Sequence, residues 1–540
     1  MTLAQAVQEF ITQNPLASIL AFVGLVVSIT FLQWGSDGPP SIPEKIPFVS
    51  NTYLVLTNLQ EMARKAAKYF QGGKIVKYHL LNKTVYVVRG QQNMQQLLRG
   101  SPDLGSEGFI LDVMKGLFAM TPSDHAKFVN DKSGRLKTPN PGTEATPVRY
   151  WAAIHYLYYD YLTAPHFASA LATKFNVNFS AQLETQPLGE WTTVRIQKFV
   201  HTHLFHAAVV SLCGPRIFEL NPDFTEVYWE FDPYAMMLCY VPPRWMARKA
   251  YQTRARGMAA VERWLDAAWE RFDWDDKEAV EADWEPCFGA RFNRETCRWM
   301  KDHGFDKQSI TGFILGVIFG LNGNSIPMVT WSLMHLLQDP ELLAAAREEA
   351  VQVYSTDGNG SRDIDIVKLG KMPILQAVFA ETLRLHTEVT IAREVWNPVV
   401  VEGYKIPKGA FIHGYAGLAH YDEEVWGKDG HPADEFWAGR HLVEVEKDGK
   451  KRLEFSSADR AGNYFPFGGG TGMCPGRHFA KQEILQTMAS ILSRFDVKFV
   501  EWVNLKDGTK SDRGPLNDEY YGAPSMPPDR DAKVQWKRLW

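Results

Sequence analysis

Between residues 308 and 334 the sequence reads QSITGFILGVIFGLNGNSIPMVTWSLM, with no charged side chain. A run of this length either crosses a bilayer or lies at the centre of a large folded core, because nowhere else does so much apolar surface escape water. Its middle decides between the two. Gly320, Asn322, Gly323, Asn324, Ser325 and Pro327 cluster where a lipid-exposed span would be most apolar. The expectation is therefore a long helix buried inside protein. Pro327 cannot donate to the carbonyl of Gly323, and glycines weaken the same turns, so a local opening lined by amides is expected there. Such a notch suits a small ligand or water; a plain packing kink is the alternative.

With 540 residues, 45% of them hydrophobic and 22% charged, the chain is long enough for several domains around such a core. The net charge of -4 comes with no basic stripe interleaved with aromatics, which excludes a nucleic-acid partner. Cys213, Cys239, Cys287, Cys297 and Cys474 are odd in number, widely spaced and free of CxxC pairs. That argues against a disulfide framework and a zinc ribbon, and for a reducing compartment. His201, His203 and His206 lie at offsets that do not share one helix face, so they read as structural.

A second apolar run, LASILAFVGLVVSITFL at residues 16–32, is followed by Trp34 at an interfacial position. A cleaved signal peptide would want a basic start and a small-residue cleavage point, whereas Glu9 is the only charged side chain before Asp37. The expected organisation is a tail at 1–15, a retained transmembrane anchor at 16–34, a proline-rich spacer at 35–50 and one body at 51–540. Lysine and arginine begin only at Lys45, which points to a cytosolic body. A hairpin is expected from KIVKYHLL and TVYVVR with Asn82-Lys83 at the turn, and surface loops at 123–147 and 506–530. The aromatic stretch 228–245 reads as core, with a channel wall or membrane-facing lid as the alternative.

The stretch 465–483, FPFGGGTGMCPGRHFAKQE, surrounds Cys474 with glycines and follows it with Pro475. Proline favours a helix start, so Cys474 is expected to cap a helix whose Gly476 and Arg477 N–H groups stabilise a thiolate. Glycines at 468, 469, 470, 472 and 476 clear the approach, so that something flat and wide can lie against the backbone. Ala480, Ile484, Met488 and Leu492 then form an apolar stripe that anchors the helix. A phosphate loop lacks its Gly-Lys-Ser/Thr, and a nucleophilic cysteine lacks a nameable base. Axial thiolate ligation of haem remains.

These residues carry a family resemblance. Phe467-x-x-Gly470-x-x-x-Cys474-x-Gly476 resembles the haem-binding signature of the cytochrome P-450 superfamily. Glu381-x-x-Arg384 resembles that family's Glu-x-x-Arg pair, Arg440 falls where a third member of the buried network would, and Arg393 is similar in placement to a haem-propionate partner. The resemblance implies one large, mainly α domain with small β-sheets, haem b held by the Cys474 thiolate, O2 and an apolar small-molecule substrate. It also implies an NADPH-dependent reductase as partner and the endoplasmic reticulum membrane as location. Where the family's central helix usually carries an acid and a threonine, this chain has Gly323 and Asn324, so Asn324, Ser325 and ordered water would have to position protons. That motif resembles the sterol 7-alpha-hydroxylase and prostacyclin synthase branch, which holds both hydroxylases and rearrangement enzymes. Gly472 stands where many members bind a propionate with a basic residue. A monooxygenase acting on a terpenoid, steroid or related metabolite leads. A haem-thiolate isomerase and a non-catalytic haem-binding membrane protein are its alternatives.

Overall fold

A computed structural model describes residues 38–540 apart from 48, 82, 100, 357–361, 459 and 517–523. The expected anchor at 16–34 lies outside the described residues. Eight helices position the site: α1 (Gln91–Arg99), α2 (Pro122–Asn130), α3 (Tyr150–Tyr158), α4 (Phe224–Cys239), α5 (Arg248–Arg271), α6 (Lys307–Gln338), α7 (Pro373–His386) and α8 (Arg477–Arg494). Strands β1 (Ile75–Leu80), β2 (Lys83–Val88), β3 (Leu104–Gly105), β5 (Thr390–Val395) and β6 (Phe411–Tyr415) form one sheet in the order β1-β2-β6-β5-β3. β4 (Trp191–Arg195), β7 (Phe495–Asn504) and β8 (Arg530–Arg538) form a second, with β8 in the middle. The chain is thus mainly helical with small sheets, as expected.

The charge-free run is the core helix α6, and 78% of its most apolar stretch is buried. Asp306 caps it by accepting from the Gln308 N–H. Gly312 and Gly316, one turn apart, let Phe118 approach at backbone distance; a methyl group at either position would collide with it. The helix does not open at Pro327 but runs unbroken through it. The reason is local: Asn322, Asn324 and Ser325 turn their side chains back onto the carbonyls of Ile318, Gly320 and Leu321, keeping their polar groups on the helix itself.

Four further readings change. Leu80 pairs with Lys83, so Lys83 belongs to the strand and the turn begins at Leu81, whose φ is 50°. Residues 123–130 of the expected loop lie in α2 instead, because Thr121 accepts from the Asp124 N–H and Pro122 opens the first turn. The core reading of 228–245 holds for Tyr228, Phe231 and Leu238, then stops: Tyr240 and Trp245 are exposed. Within the stretch assigned to the spacer, Ile42 is buried and donates its N–H to the Lys77 carbonyl, so this part lies against β1.

Candidate functional site

The loop before α8 is fixed by its backbone. The Cys474 N–H donates to the Phe467 carbonyl at 2.9 Å, and Gly468 and Gly470 take φ values of 71° and 60°, which favour glycine. A Cβ on Gly470 would strike the Leu98 carbonyl of α1, so that glycine is also demanded by contact; Gly472 faces open space. Cys474 does not cap α8. The N-cap is Gly476 and the helix starts at Arg477, because Pro475 is followed by a residue that turns the chain before the ladder begins. The expected thiolate support is present but outweighed here: burial raises the thiol pKa, and the N–H groups of Gly476 and Arg477 and the Arg477 charge offset it only in part. Cys474 is the one cysteine with an exposed side chain. Ile484, Met488 and Leu492 anchor α8 in the core.

Behind the loop lies a closed ionic network. Both oxygens of Glu381 accept from Arg384, at 2.8 Å each; Oε1 also accepts from Arg440 Nε at 3.0 Å and the Trp437 N–H at 3.1 Å. His441, which sequence reasoning missed, lies 2.8 Å from Oε2. Although burial pushes the other way, these partners hold the Glu381 carboxyl well below its ordinary range. The remaining Arg384 and Arg440 donors reach backbone carbonyls, including those of His420, Ala433 and His431. Glu381, Arg384 and Arg440 therefore brace the site and have no donors aimed into it, unlike residues that bind a cofactor directly. The connection to the cysteine loop runs through His420, which contacts the Arg384 carbonyl through Nδ1 and accepts from the Phe465 N–H through Nε2.

Arg393 has a different character. The alternation of β5 puts it on the inward face with Ile391 and Val395, and its one recorded hydrogen bond goes to the neighbouring Ala392 carbonyl. Burial lowers its pKa, Glu107 opposes that, and the charge of Arg135 adds to it. Arg135 stands over the Trp151 ring and pairs its Nε with Glu107 Oε1 at 3.5 Å, while its buried Nη2 makes no hydrogen bond. Two neighbouring guanidiniums with donors to spare form a site for carboxylates. The 123–147 segment carries Arg135 in an aperiodic stretch of Pro, Gly and Thr, so no sequence signal pointed to it. Nor did any point to Tyr158, whose hydroxyl is kept protonated by burial and by the nearby Cys474.

α6 presents Val317, Gly320, Leu321 and Asn324 as its less buried face, one helical stripe at i, i+3, i+4 and i+7. Asn324 holds the Gly320 carbonyl with Nδ2, and its Oδ1 has no partner. Ser325 donates to Leu321 at 2.7 Å. Beside it on α8 sits Glu483, fully buried, neither oxygen hydrogen-bonded, its carboxyl pushed up to about 8 by burial and only eased by Ser325. The spare cationic donors of Arg135 and Arg393 and the accessible thiol together fit an iron-bearing macrocycle with carboxylate arms. Cys474, Arg393 and Arg135 would hold it.

The cytochrome P450 family model matches residues 224–516. The chain is 41% identical over 525 residues to cytochrome P450 monooxygenase calL of Penicillium decumbens, spanning 96% of this chain and 97% of that protein. Cholesterol 7-alpha-monooxygenase of Cricetulus griseus is 30% identical over 246 residues, 43% of this chain and 46% of its own length. Among solved structures, a retinoic acid-bound cyanobacterial CYP120A1 aligns with a TM-score of 0.64 at 17% identity, covering 93% of this chain and 99% of that one. That last likeness speaks for the fold alone.

Proposed function

The chain belongs to the cytochrome P450 family and is a haem-thiolate monooxygenase, and from that premise we propose that it oxidises an apolar, lipid-like metabolite such as a terpenoid or steroid. The observation that carries this reading is the pairing of an accessible Cys474 with the spare donors of Arg135 and Arg393. Haem b bound there supplies oxygen activation, with electron donation from the thiolate favouring O–O cleavage. The protein's own residues set the conditions. The Gly476 and Arg477 N–H groups support the sulfur's negative charge, the Glu381 network holds the loop through His420, and Arg135 and Arg393 take carboxylates. On α6, Val317 and Leu321 present apolar surface to a guest, and Asn324 Oδ1 is free to hold a water. A sterol as substrate draws support from the likeness to the cholesterol 7-alpha-monooxygenase of Cricetulus griseus; the proposal includes a role in secondary metabolism, electrons from an NADPH-dependent reductase and an endoplasmic reticulum anchor at 16–34.

The test has two stages. The reduced carbon monoxide difference spectrum should show the long-wavelength thiolate band in the wild type and lose it in Cys474→Ser; a retained band sinks the ligand assignment. Panels of terpenoids and steroids are then turned over with NADPH and reductase. A second reading, rearrangement without a reductase, is favoured by Gly323 and Asn324 standing where an acid and a threonine are usual. Turnover of an organic peroxide in the absence of NADPH would select it.

A further inference from the structure

In a monooxygenase one oxygen atom enters the substrate and the other leaves as water, so protons must be led to the reaction from solvent. The middle of α6 offers no group of its own that titrates near neutral pH: Gly323, Asn324 and Ser325 follow one another. A carboxylate arrives from the side instead. Asp232 of α4 is buried, and its Oδ1 lies 3.0 Å from the position a Cβ on Gly323 would take. Any side chain at 323 would press on this oxygen, so the glycine and the carboxylate are a matched pair. Their helices meet through Phe231 and Phe319, whose rings are 6.3 Å apart at 73°. Tyr228, one turn before Asp232, donates its hydroxyl to Oδ1 at 3.0 Å.

We propose that Asp232 is a proton-relaying carboxylate beside the middle of α6, supplied by α4 where α6 carries Gly323, and that it acts through water held at Asn324. It is a positioning residue: it gives a proton to that water and regains one from solvent, ending each turnover unchanged. The surroundings suit the task. Burial lifts its pKa to about 6, opposed only by the Tyr228 hydroxyl; no charged side chain of the helix Glu107–Gly116, of α5 or of α6, all packed on α4, acts on it. Both protonation states are thus accessible near neutral pH. The inference rests on the monooxygenase reading and not on any substrate class.

The experiment compares wild type, Asp232→Asn and the double variant Asp232→Ala/Gly323→Asp, which clears the 232 side chain and returns a carboxylate to the same spot from α6. Holoenzymes showing the same reduced carbon monoxide band are supplied with NADPH and reductase without added substrate, and peroxide released per NADPH is followed from about pH 5 to pH 8. The expected result is a rise of roughly tenfold in peroxide for Asp232→Asn, below the usual range for a positioned proton donor, with the pH dependence flattened. The double variant should return toward wild type. Equal peroxide in wild type and Asp232→Asn, or a double variant no better than the single one, overturns the proposal. Infrared titration of the buried carboxyl decides independently of turnover: a band with a midpoint near 6 must be present in the wild type and absent in Asp232→Asn. A wild type that oxidises no NADPH would refute the reductase-driven reading, and the infrared result would still rule for or against Asp232.

Discussion

Glu381 and Glu483 are both carboxylates with no exposure to solvent, and they have opposite fates. The first sits among Arg384, Arg440, His441 and a backbone N–H, and is ionised throughout. The second faces α6 with neither oxygen hydrogen-bonded, and keeps its proton up to about 8. The contrast extends to the regions around them. The brace is over-determined, with every guanidinium nitrogen of Arg384 and Arg440 hydrogen-bonded, as a support for a ligand requires. The seam between α6 and α8 is under-partnered: Asn322 Oδ1 and both ends of the Gln486 amide are also left over. Fixed charge belongs to the scaffold, and mobile protons belong to the seam.

The largest effect should come from breaking the scaffold. Glu381→Ala leaves two buried guanidiniums without their counter-ion, at about 3–5 kcal/mol, and thermal unfolding together with the carbon monoxide spectrum should report loss of holoenzyme. Because the folded-state pKa of Glu381 is depressed, its stabilisation is present above the ordinary carboxylate value of 4.5 and disappears as pH falls below it. Gly470→Ala follows, at roughly 3 kcal/mol from a left-handed backbone and a collision with Leu98; retained haem affinity would show that the loop is less rigid than its hydrogen bonds imply. Glu483→Gln tests the seam, with the opposite sign. Its raised pKa means that the folded state binds the extra proton, so wild-type stability is full below 4.5 and falls as pH rises toward 8. The variant should be more stable than wild type by ~1–2 kcal/mol at the upper end of that window, and equal at the lower end in denaturant melts. Gly472→Ala, one turn from Gly470 in the same loop, should change stability by less than ~0.5 kcal/mol because nothing stands near its Cβ position.

How much of this could be read from the chain alone follows the same division. The cysteine loop was legible because its spacing is local: a proline, a helix start and glycines at fixed offsets leave few chemistries. Glu381 and Arg384 share a helix turn and were legible too, whereas His441 needed the tertiary fold to bring it to Oε2. Arg135 was hidden because its segment has no period to place it against Arg393. Asp232 was hidden by its own neighbourhood: the stretch 228–245 reads as core from its aromatics, and nothing in it tells which partner an acid there meets until α4 is laid across Gly323. The continuity of α6 through Pro327 was misjudged for a related reason: the amide and hydroxyl side chains that suggest an opening stay on the helix and fold back on its carbonyls.

Gly312 and Gly316 carry a mechanical consequence. With Phe118 seated on bare backbone, the first half of α6 is pinned like the fixed end of a cantilever. A bulky guest cannot be admitted by sliding that end. The give has to come from the opposite bank, where α4 ends and Tyr240, Trp245 and Met246 stand outside the core. Discrimination by size is thereby left to the loosest stretch of the fold, and the iron's anchorage is insulated from whatever enters.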